Sequence, residues 1–445
     1  MPASAVISIL ALSFLAGEPV VEDVHARAVR TLGRSWRWLR PLAARYVETF
    51  RGRTRRRHRD VIRFLRRDPG FLRAWAKYRN EISIAEWLTE PQHMQPVSAA
   101  QRWNLPAIET VRDLANWLSV SIDELEWFAE LKGLGDKLRK PKLQHYHYHM
   151  WPKRSGRVRL IESPKPRLKE LQRRILSGIL DAIPVHPAAH GFVKGRSIMT
   201  FATHHIGKSA LLRLDLQDFF PAFPAARVHA LFRTLGYPEN VAERLGGICT
   251  NAVPREIWKC RPPEIDAIEW HQARTLYARP HLPQGAPTSP ALANLTAYRL
   301  DCRLSGLAQS AGAVYARYAD DLAFSGGLEF KRVVERFSAH AAAVALEEGF
   351  DVSHHKTRIM RQGVRQHLAG IVVNQKASLR RRDLELLEAI LTNCVRHGPE
   401  SQNRLRLPNF RAHLEGRIGF VEMINQIQGQ RLRTIFEDIK WDQSD

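Results

Sequence analysis

Two adjacent carboxylates, Asp320 and Asp321, interrupt a run of apolar and aromatic residues in this 445-residue chain. The run begins at Tyr315 and continues beyond the pair to Ser325, and each flank has the length and composition of a β-strand. This pattern predicts a hairpin that carries both carboxylates at its tip. Neighbouring carboxylates are costly to bury between hydrophobic strands without cations, so we expect the tip to bind metal ions.

A third carboxylate, Asp215, ends another predicted strand that begins at Leu211. Because Mg²⁺ prefers oxygen ligands and keeps substrate phosphates in its shell, we predict that Asp215, Asp320 and Asp321 hold two Mg²⁺ ions, with Mn²⁺ as an alternative. Such a pair of ions activates an attacking 3′ hydroxyl and steadies a leaving pyrophosphate. An isolated Asp-Asp pair is more often a surface turn or a helix cap, but the flanking strands and Asp215 argue against that interpretation.

The charge of the chain indicates a polyanionic partner. Lysines and arginines number 68 against 45 aspartates and glutamates, a formal net charge of +23, and each phosphate that a basic side chain neutralises releases counterions. A hydrophobic fraction of 44% excludes a wholly disordered chain. The cysteines form no close pair, so we expect no zinc site, no disulfide framework and a cytoplasmic location. They are Cys249, Cys260, Cys302 and Cys394.

The N-terminal region is predicted to be helical and basic. The apolar stretch 5–16 favours a buried helix; a signal peptide is the alternative, and the stretch is too short to span a bilayer. From Val21 to Phe50 the pattern is helical throughout, and it places five arginines near one face. These are Arg27, Arg30, Arg34, Arg37 and Arg40.

A dense basic run, 51–59, follows, and a second helical stretch, 61–79, is predicted to break at Pro69-Gly70. Positive charge next to aromatic residues suits RNA backbone and base stacking, and a solvated basic helix face is the alternative. The residues predicted to contact RNA are Arg53, Arg55, Arg56 and Arg57.

Further along, residues 89–106 are typical of a linker, and two short helices are expected over 111–120 and 122–131, with Ser121 or Asp123 as a cap. A hairpin is predicted from strands over 146–151 and 158–162, and a helix over 167–180. The chain from Leu379 onward is expected to be helical and basic.

Three ordered motifs resemble those of the reverse transcriptases. Tyr318-Ala-Asp-Asp321 resembles the catalytic motif of that family, Asp215 to Phe220 its first catalytic motif, and Leu282-Pro-Gln-Gly-Ala-Pro-Thr-Ser-Pro290 its substrate-binding motif. The resemblance covers roughly 146–427. It implies an RNA-directed DNA polymerase, a nucleotidyltransferase of the α+β class with a right-hand architecture of fingers, palm and thumb.

The expected domains are a helical basic N-terminal region (1–95), a helical linker region (96–145), fingers and palm (146–378) and a helical thumb (379–445). The thumb is expected to contact the template–primer duplex through basic residues. These are Arg380, Arg381, Arg382 and the 404–406 neighbourhood.

The resemblance also implies roles in nucleotide binding and proton transfer. Gln284 offers amide hydrogen bonds and Gly285 allows close approach of the backbone to the nucleotide. Phe220 matches an aromatic that stacks under the sugar, with an ordinary core residue as the alternative. Lys356 matches a lysine that protonates pyrophosphate; the alternative is a surface lysine. The expected triphosphate ligands on the fingers hairpin, any one of which could instead lie in a solvated turn, are Lys153, Arg157 and Arg159.

Two further expectations concern local structure in the matched region. Thr288 or Ser289 is expected to cap the helix that follows the substrate-binding motif, with Pro290 in its first turn. The strand-like stretch 368–374 resembles the primer-grip hairpin of the family, and a plain core strand is the alternative.

Within the family the chain resembles the retron reverse transcriptases, through His190-Gly-Phe-Val-Lys-Gly-Arg-Ser197 and the stretch 161–176. It departs from their pattern at two places. Phe201 stands where an Asn-Ala-x-x-His element begins with Asn, and Leu368-Ala-Gly370 replaces Val-Thr-Gly. The alternatives are another defence-associated reverse transcriptase, an intron-type reverse transcriptase and a non-catalytic RNA-binding protein. The presence of all three aspartates argues against the last of these.

The retron likeness implies a set of partners. They are an RNA template, an RNA–DNA hybrid, deoxynucleoside triphosphates, a cognate structured noncoding RNA and a toxin or effector protein, with no membrane. It also implies that a 2′ hydroxyl of that RNA starts the first strand, that the product is single-stranded DNA joined to RNA, and that the system defends against phage.

Overall fold

A computed structural model describes residues 2–17, 19–51, 57–88, 94–131, 143–153 and 157–441. The chain forms two compact units. The first contains the described residues of Met1–Leu134 and His229–Ile248, and the second those of Gly135–Val228 and Cys249–Asp445. The four-domain division at 95, 145 and 378 stays a prediction.

The helices, numbered along the chain, are α1 (Ala3–Leu15), α2 (Val21–Leu32), α3 (Leu39–Thr49), α4 (His58–Arg67), α5 (Pro69–Tyr78), α6 (Val111–Leu118), α7 (Ile122–Ala129), α8 (Pro166–Gly178), α9 (Ile198–Thr203), α10 (Ala225–Thr234), α11 (Glu239–Cys249), α12 (Ala267–Tyr277), α13 (Ser289–Thr296), α14 (Tyr298–Ser310), α15 (Leu328–Glu347), α16 (Arg381–His397), α17 (Phe410–Ile424) and α18 (Gln426–Glu437). The strands are β1 (Tyr146–Pro152), β2 (Val158–Pro164), β3 (Ala210–Asp215), β4 (Ala313–Tyr318), β5 (Asp321–Gly326), β6 (Arg358–Arg361), β7 (His367–Leu368) and β8 (Ile371–Val372).

The buried N-terminal helix is confirmed as α1. Its residues Val6, Leu10 and Phe14 have no exposed surface, and the Phe14 ring meets that of Tyr46 on α3 edge-on at 4.9 Å. Burying large apolar side chains of this kind is the main source of stability for a helical layer. No helix among the described residues is long and apolar enough to cross a membrane.

The prediction of one continuous arginine face from Val21 to Phe50 is wrong. Gly33 adopts a left-handed conformation and ends α2, since a glycine has no Cβ to oppose it. The arginines then diverge. Arg27 is buried and donates from Nε to the Ser13 carbonyl at 2.9 Å, whereas the Arg34 guanidinium lies 4.5 Å from the centroid of the Trp36 ring.

Two other local predictions for the first unit are confirmed. Helices α4 and α5 are separated at Asp68, whose carboxylate accepts from the Phe71 amide at 2.7 Å while Pro69 begins α5. Ser121, rather than Asp123, caps α7, and it forms a reciprocal capping box with Glu124.

Helix α11 and the end of α10 bring a later stretch of chain into the first unit. The Gln95 amide donates to the Gly236 carbonyl at 2.9 Å. Arg244 donates from Nε to Glu126 at 2.6 Å. The first unit therefore combines N-terminal residues with His229–Ile248, which lie far away in the sequence.

The second unit is built around an antiparallel sheet with the strand order β4-β5-β3-β6. The long helix α15 packs on it through Phe330 and Phe337, and the Phe337 ring meets that of Phe324 on β5 at 5.1 Å. The predicted hairpin is confirmed as β1 and β2, paired from Tyr146↔Pro164 to Pro152↔Val158.

The C-terminal helices α16 to α18 confirm the helical segment predicted after Leu379. They share an apolar core that includes Leu391, Leu414, Ile418 and Leu432. The strand-like stretch 368–374 is not one strand: it contributes Leu368 to the short strand β7 and all of β8, which pairs with it. All four cysteines are free.

Candidate active site

Three carboxylates meet at one edge of the central sheet. Strand β3 ends at Asp215, and its antiparallel register with β5 places Asp215 opposite Asp321. Strands β4 and β5 pair up to Tyr318↔Asp321, so Ala319 and Asp320 form a two-residue turn. The predicted hairpin with carboxylates at its tip is confirmed, and the sheet register brings Asp215 to the same place.

Two basic side chains hold the outer carboxylates of this group. The Lys356 ammonium donates to Asp215 Oδ1 at 2.9 Å and Oδ2 at 3.0 Å. Arg213, two residues before Asp215 on β3, donates from Nε and Nη2 to Asp321 Oδ1 at 2.9 and 2.8 Å. Charge-assisted bonds of this length fix the rotamers of both carboxylates.

Of the three carboxylates, Asp320 has its negative charge least compensated by basic side chains. Burial, together with the charges of Asp215 and Asp321, raises the pKa of Asp320 to about 6. Burial also raises the pKa of Asp321, against the opposing effect of Arg213. The edge of the sheet therefore concentrates negative charge, which is the condition that favours a bound cation.

The donor chemistry at this edge fits a hard divalent cation, because all three groups are carboxylate oxygens. Among the residues that the structure describes, no group of three or more His, Cys, Asp or Glu side chains is already arranged around a metal position. Lys356 bonds both oxygens of Asp215, whereas Arg213 bonds only Oδ1 of Asp321. Metal ligation by Asp215 would therefore compete with its bonds to Lys356.

A cavity of about 560 Å³ opens beside the carboxylates. Most of the predicted site residues line it, together with Asp215 and Asp320, while Asp321 and Gly285 lie outside its lining. The predicted residues in the lining are Lys153, Arg157, Arg159, Phe220, Gln284 and Lys356. The structure thus brings together, within the second unit, side chains that are far apart in sequence.

The basic residues of the β1–β2 hairpin enter this cavity with acidic partners. Lys153 donates to Asp218 at 3.2 Å, and Arg157 pairs with Glu269 on α12 at 3.3 Å. The Lys153 amide donates to the Arg157 carbonyl at 2.7 Å. Asp218 belongs to the lining of this cavity and Glu269 does not, whereas all three cations, Lys153, Arg157 and Arg159, line it.

The loop that carries Gln284 and Gly285 packs directly on β2. The Glu162 amide donates to the Gln284 carbonyl at 2.8 Å. Gly285 has a φ of +129°, and a Cβ there would stand 2.9 Å from the Glu162 carbonyl oxygen. Glycine is therefore required for this close approach between loop and strand.

A buried ion pair lies beneath the same loop. His281 donates from Nε2 to the Glu162 carboxylate at 2.9 Å and from Nδ1 to the Arg279 carbonyl at 2.6 Å. Burial lowers the pKa of His281, but the Glu162 carboxylate outweighs it and the pKa lies above its usual value. Asn251 donates to the other Glu162 oxygen at 2.6 Å, so the carboxylate is fully bonded.

The cap predicted after the substrate-binding motif is wrong. Thr288 occupies the position before α13, but its backbone is already helical and its side chain makes no capping bond. The Thr288 and Ser289 hydroxyls are buried without a hydrogen-bond partner in the described structure. Pro290 does lie in the first turn, as predicted.

Comparison with known proteins identifies the family. The family model described as "Reverse transcriptase (RNA-dependent DNA polymerase)" matches residues 151–380. The chain is 41% identical over 334 residues to the retron Mx65 reverse transcriptase of Myxococcus xanthus, covering 74% of this chain and 72% of that protein. The chain belongs to the reverse transcriptase family, and to its retron type.

Other likenesses are more partial. The retron Mx162 reverse transcriptase of Myxococcus xanthus is 40% identical over 280 residues, which cover 61% of this chain and 54% of that protein. A solved foamy viral protease-reverse transcriptase in complex with RNA/DNA hybrid aligns with a TM-score of 0.35 and 14% identity, over 68% of this chain and 32% of that chain. A score this low does not bear on the fold, which follows from the family match.

The two departures from the retron pattern lie in one apolar cluster of this reverse transcriptase. Phe201 and Leu368 are both fully buried there, and the Phe201 ring is 5.8 Å from that of Tyr318, next to the Ala319–Asp320 turn. Both replacements are apolar side chains that fill this shared core. The departures are therefore compatible with one another and with the position of Tyr318.

The proposed sugar-contacting residue has an aromatic neighbour that sequence reasoning missed. The Phe220 ring is 6.0 Å from that of Phe192, which lines the same cavity, is half exposed and has a φ of +60°. A bulky residue in this conformation is unusual outside functional or strained positions. Phe192 lies within the retron-like motif His190–Ser197, but its contact with Phe220 depends on the tertiary fold and could not be predicted from that motif.

Arg213 and Asp218 were also missed as partners of site residues. Period-two alternation places Arg213 on the same strand face as Asp215, so a charged residue in an otherwise apolar strand was a usable signal. Asp218 lies within the first catalytic motif, but its pairing with Lys153 joins positions far apart in the chain.

The predicted RNA-contacting arginines fall largely outside the described residues: Arg53, Arg55 and Arg56 do so. Arg57 precedes α4. Burial and the nearby charges of Arg57 and Arg59 lower the pKa of Arg233, which belongs to the same unit. Positive charge is thus concentrated around the start of α4.

Proposed function

We propose that this reverse transcriptase copies a structured noncoding RNA of its own into single-stranded DNA, using two Mg²⁺ or Mn²⁺ ions held by Asp215, Asp320 and Asp321. The observation that carries the catalytic part is the meeting of these three carboxylates at one sheet edge beside a cavity of about 560 Å³. The lining of that cavity includes Lys153, Arg157, Arg159 and Phe220.

The chain's own residues have separable tasks in this reaction. Lys153, Arg157 and Arg159 bind the triphosphate, since their charges face the cavity from the fingers hairpin. Gln284 positions the nucleotide, and Phe220 excludes a 2′ hydroxyl. Lys356 exchanges its bond to Asp215 for the pyrophosphate and supplies a proton to it. When bound, the metal ions would activate the primer hydroxyl and stabilise the leaving pyrophosphate.

The catalytic assignment is tested by Asp320→Asn and Asp321→Asn. Each change removes a ligand charge, which we expect to lower kcat for primer extension on the order of 1,000-fold, the equivalent of several kcal/mol of transition-state stabilisation. RNA binding and the circular dichroism spectrum should match those of the parent. Primer extension within tenfold of the parent by either variant contradicts the assignment.

The choice of template is proposed from the likeness to retron reverse transcriptases. The basic run 51–59, called the arm, and the helices α16 to α18 supply the RNA contacts. They bind loops and ends of the RNA, where bases can stack on aromatic and arginine side chains. A 2′ hydroxyl of the same RNA starts synthesis, and the product acts in the cytoplasm, with a toxin or effector protein, in defence against phage.

Sequencing the nucleic acid that co-purifies with the protein tests this part. We expect one abundant structured RNA, joined to single-stranded DNA in the parent and free of DNA in Asp320→Asn. A broad sample of cellular RNA in both preparations would contradict a dedicated template. Phage plating on cells with the parent or Asp320→Asn then tests the defence role.

A further inference from the structure

A fully buried arginine lies directly behind the catalytic turn. Arg317 has no exposed surface and donates from Nε and Nη2 to the two oxygens of Asp301 on α14 at 2.8 and 2.7 Å. Asp301 is equally buried and also accepts from the Tyr315 hydroxyl at 2.8 Å. This bidentate pair orients the plane of the guanidinium.

The remaining donor group of Arg317 reaches the turn itself. Nη1 donates to the Ala319 carbonyl and to Asn294 Oδ1, both at 3.1 Å. Ala319 has a φ of +55°, a conformation that costs free energy for a residue with a side chain. The bond from Arg317 therefore holds a strained peptide immediately before Asp320.

The same cluster holds a second backbone segment against the turn. Asn294 donates from Nδ2 to the Gly191 carbonyl at 2.8 Å, and the His190 amide donates to the Arg317 carbonyl at 2.7 Å. A Cβ on Gly191 would stand 2.6 Å from the Ala319 amide nitrogen. Gly191 thus packs on the turn, and Phe192 continues from it into the cavity.

We propose that Arg317, with Asp301 and Asn294, is a positioning residue that sets the backbone of the Ala319–Asp320 turn and of the Gly191–Phe192 segment relative to each other. The proposal rests on the proposed catalytic role of Asp320. A hydrophobic replacement of a buried ion pair often preserves stability, so these polar groups are not needed merely to fill the core. Their particular contribution is the bond to the Ala319 carbonyl.

The test separates positioning from folding. Arg317→Met alone would leave the Asp301 charge buried and unpaired, so it is combined with Asp301→Leu and Tyr315→Phe. We expect this triple variant to fold with a thermal midpoint within about 5 °C of the parent, because no unpaired charge remains. We also expect kcat to fall about 100-fold, the effect of a displacement of near 1 Å at a reacting group, with KM for the nucleotide changed less than threefold.

Two further variants complete the set. Arg317→Lys keeps a charge for Asp301 but lacks the fork that reaches Asn294 and Ala319 together; it should fold and lose at least tenfold in kcat. Arg303→Met with Glu348→Leu removes another ion pair of α14, at 2.8 Å, and should leave kcat unchanged.

Binding of Mn²⁺, measured by electron paramagnetic resonance, should weaken in the triple variant and not in the Arg303→Met, Glu348→Leu control.

A kcat within threefold of the parent in the folded triple variant would overturn the proposal. Unfolding of both the triple variant and Arg317→Lys would also overturn it, because the cluster would then serve the fold alone. If the triple variant unfolds while Arg317→Lys folds, the kcat of Arg317→Lys decides, and a value near that of the parent overturns the proposal. An inactive parent would instead contradict the proposed function.

Discussion

Phe220 is partly buried at the wall of the cavity, with Phe219 and Phe192 beside it. A ring in this place can exclude a ribose hydroxyl by its volume alone. We therefore expect Phe220→Ala to raise ribonucleotide incorporation relative to deoxynucleotide incorporation by roughly tenfold to a hundredfold, the range for one polar atom or methylene in a pocket.

Competition between the two nucleotides in single-turnover extension measures this ratio. Phe350→Leu is the control, because Phe350 is fully buried against Phe219 and Phe223, outside the cavity lining. If Phe220→Ala and Phe350→Leu leave the ratio equally unchanged, Phe220 is a core residue only.

His205 is a residue whose ionisation affects the fold itself. It is fully buried and shares a hydrogen bond of 2.7 Å with the Ser325 hydroxyl, and burial lowers its pKa to about 3. The unfolded chain takes up a proton at this residue below its usual pKa of about 6.5, whereas the folded chain does not. Stability is therefore unaffected above that value and is lost progressively as the pH falls from 6.5 towards 3.

We expect His205→Gln to reduce this acid sensitivity. The loss in the free energy of unfolding between pH 7 and pH 5 should be smaller by about 2 kcal/mol than in the parent, as measured by urea titration at both values. His204→Gln changes an exposed neighbour and should behave as the parent does. Equal losses in the free energy of unfolding in the parent and in His205→Gln would show that His205 does not cause the acid sensitivity.

At the scale of elements, β2 and the loop at Gly285 approach each other closely in the proposed nucleotide site. Gly285→Ala would place a Cβ 2.9 Å from the Glu162 carbonyl at a φ of +129°, which costs about 1–3 kcal/mol. We expect the loop to move away from the strand and KM for the nucleotide to rise about tenfold or more. A parallel Gly306→Ala, which has open space, should leave KM unchanged and raise the thermal midpoint slightly, because alanine favours the interior of helix α14 by about 0.5–1 kcal/mol.

Strands with period-two alternation and a terminal carboxylate were predictable because the signal is local, and β3, β4 and β5 all appeared where expected. The pairing of Asp215 with Asp321 followed only from the strand register. Helix boundaries were harder to predict from the sequence than these strands. The helical period continues through Gly33, so the break between α2 and α3 was missed although the glycine itself was visible.

The counterions of the site were not predictable for a different reason. Lys153 with Asp218, and Arg317 with Asp301, join positions whose proximity depends on packing of the whole second unit. The Thr288 cap was wrong because Thr288 already has helical backbone angles, and a side-chain cap needs an extended residue before the helix.

At the scale of the molecule, the choice of RNA is expected to depend on the basic arm of the first unit. Replacing Arg53, Arg55, Arg56 and Arg57 with Ala should weaken binding of the co-purifying RNA. The slope of log affinity against log salt should fall by roughly one for each phosphate that the arm no longer neutralises. Extension on a generic primer–template in excess should survive.

The reciprocal control replaces Arg380, Arg381 and Arg382 with Ala. That variant should weaken binding of a generic duplex and leave discrimination for the co-purifying RNA in place. An unchanged affinity and salt slope in the arm variant would identify the arm as a solvated surface and direct the search to α16–α18.

The composition of the first unit has a consequence for the newly made chain. Because His229–Ile248 completes a unit that begins at the N-terminus, residues 2–131 leave the ribosome before their last partners have been translated. At synthesis rates of about 5–20 residues per second, the roughly 110 residues between Leu134 and Ile248 impose a delay on the order of ten seconds. During that interval residues 2–131 are outside the ribosome without the stretch of chain that completes their unit.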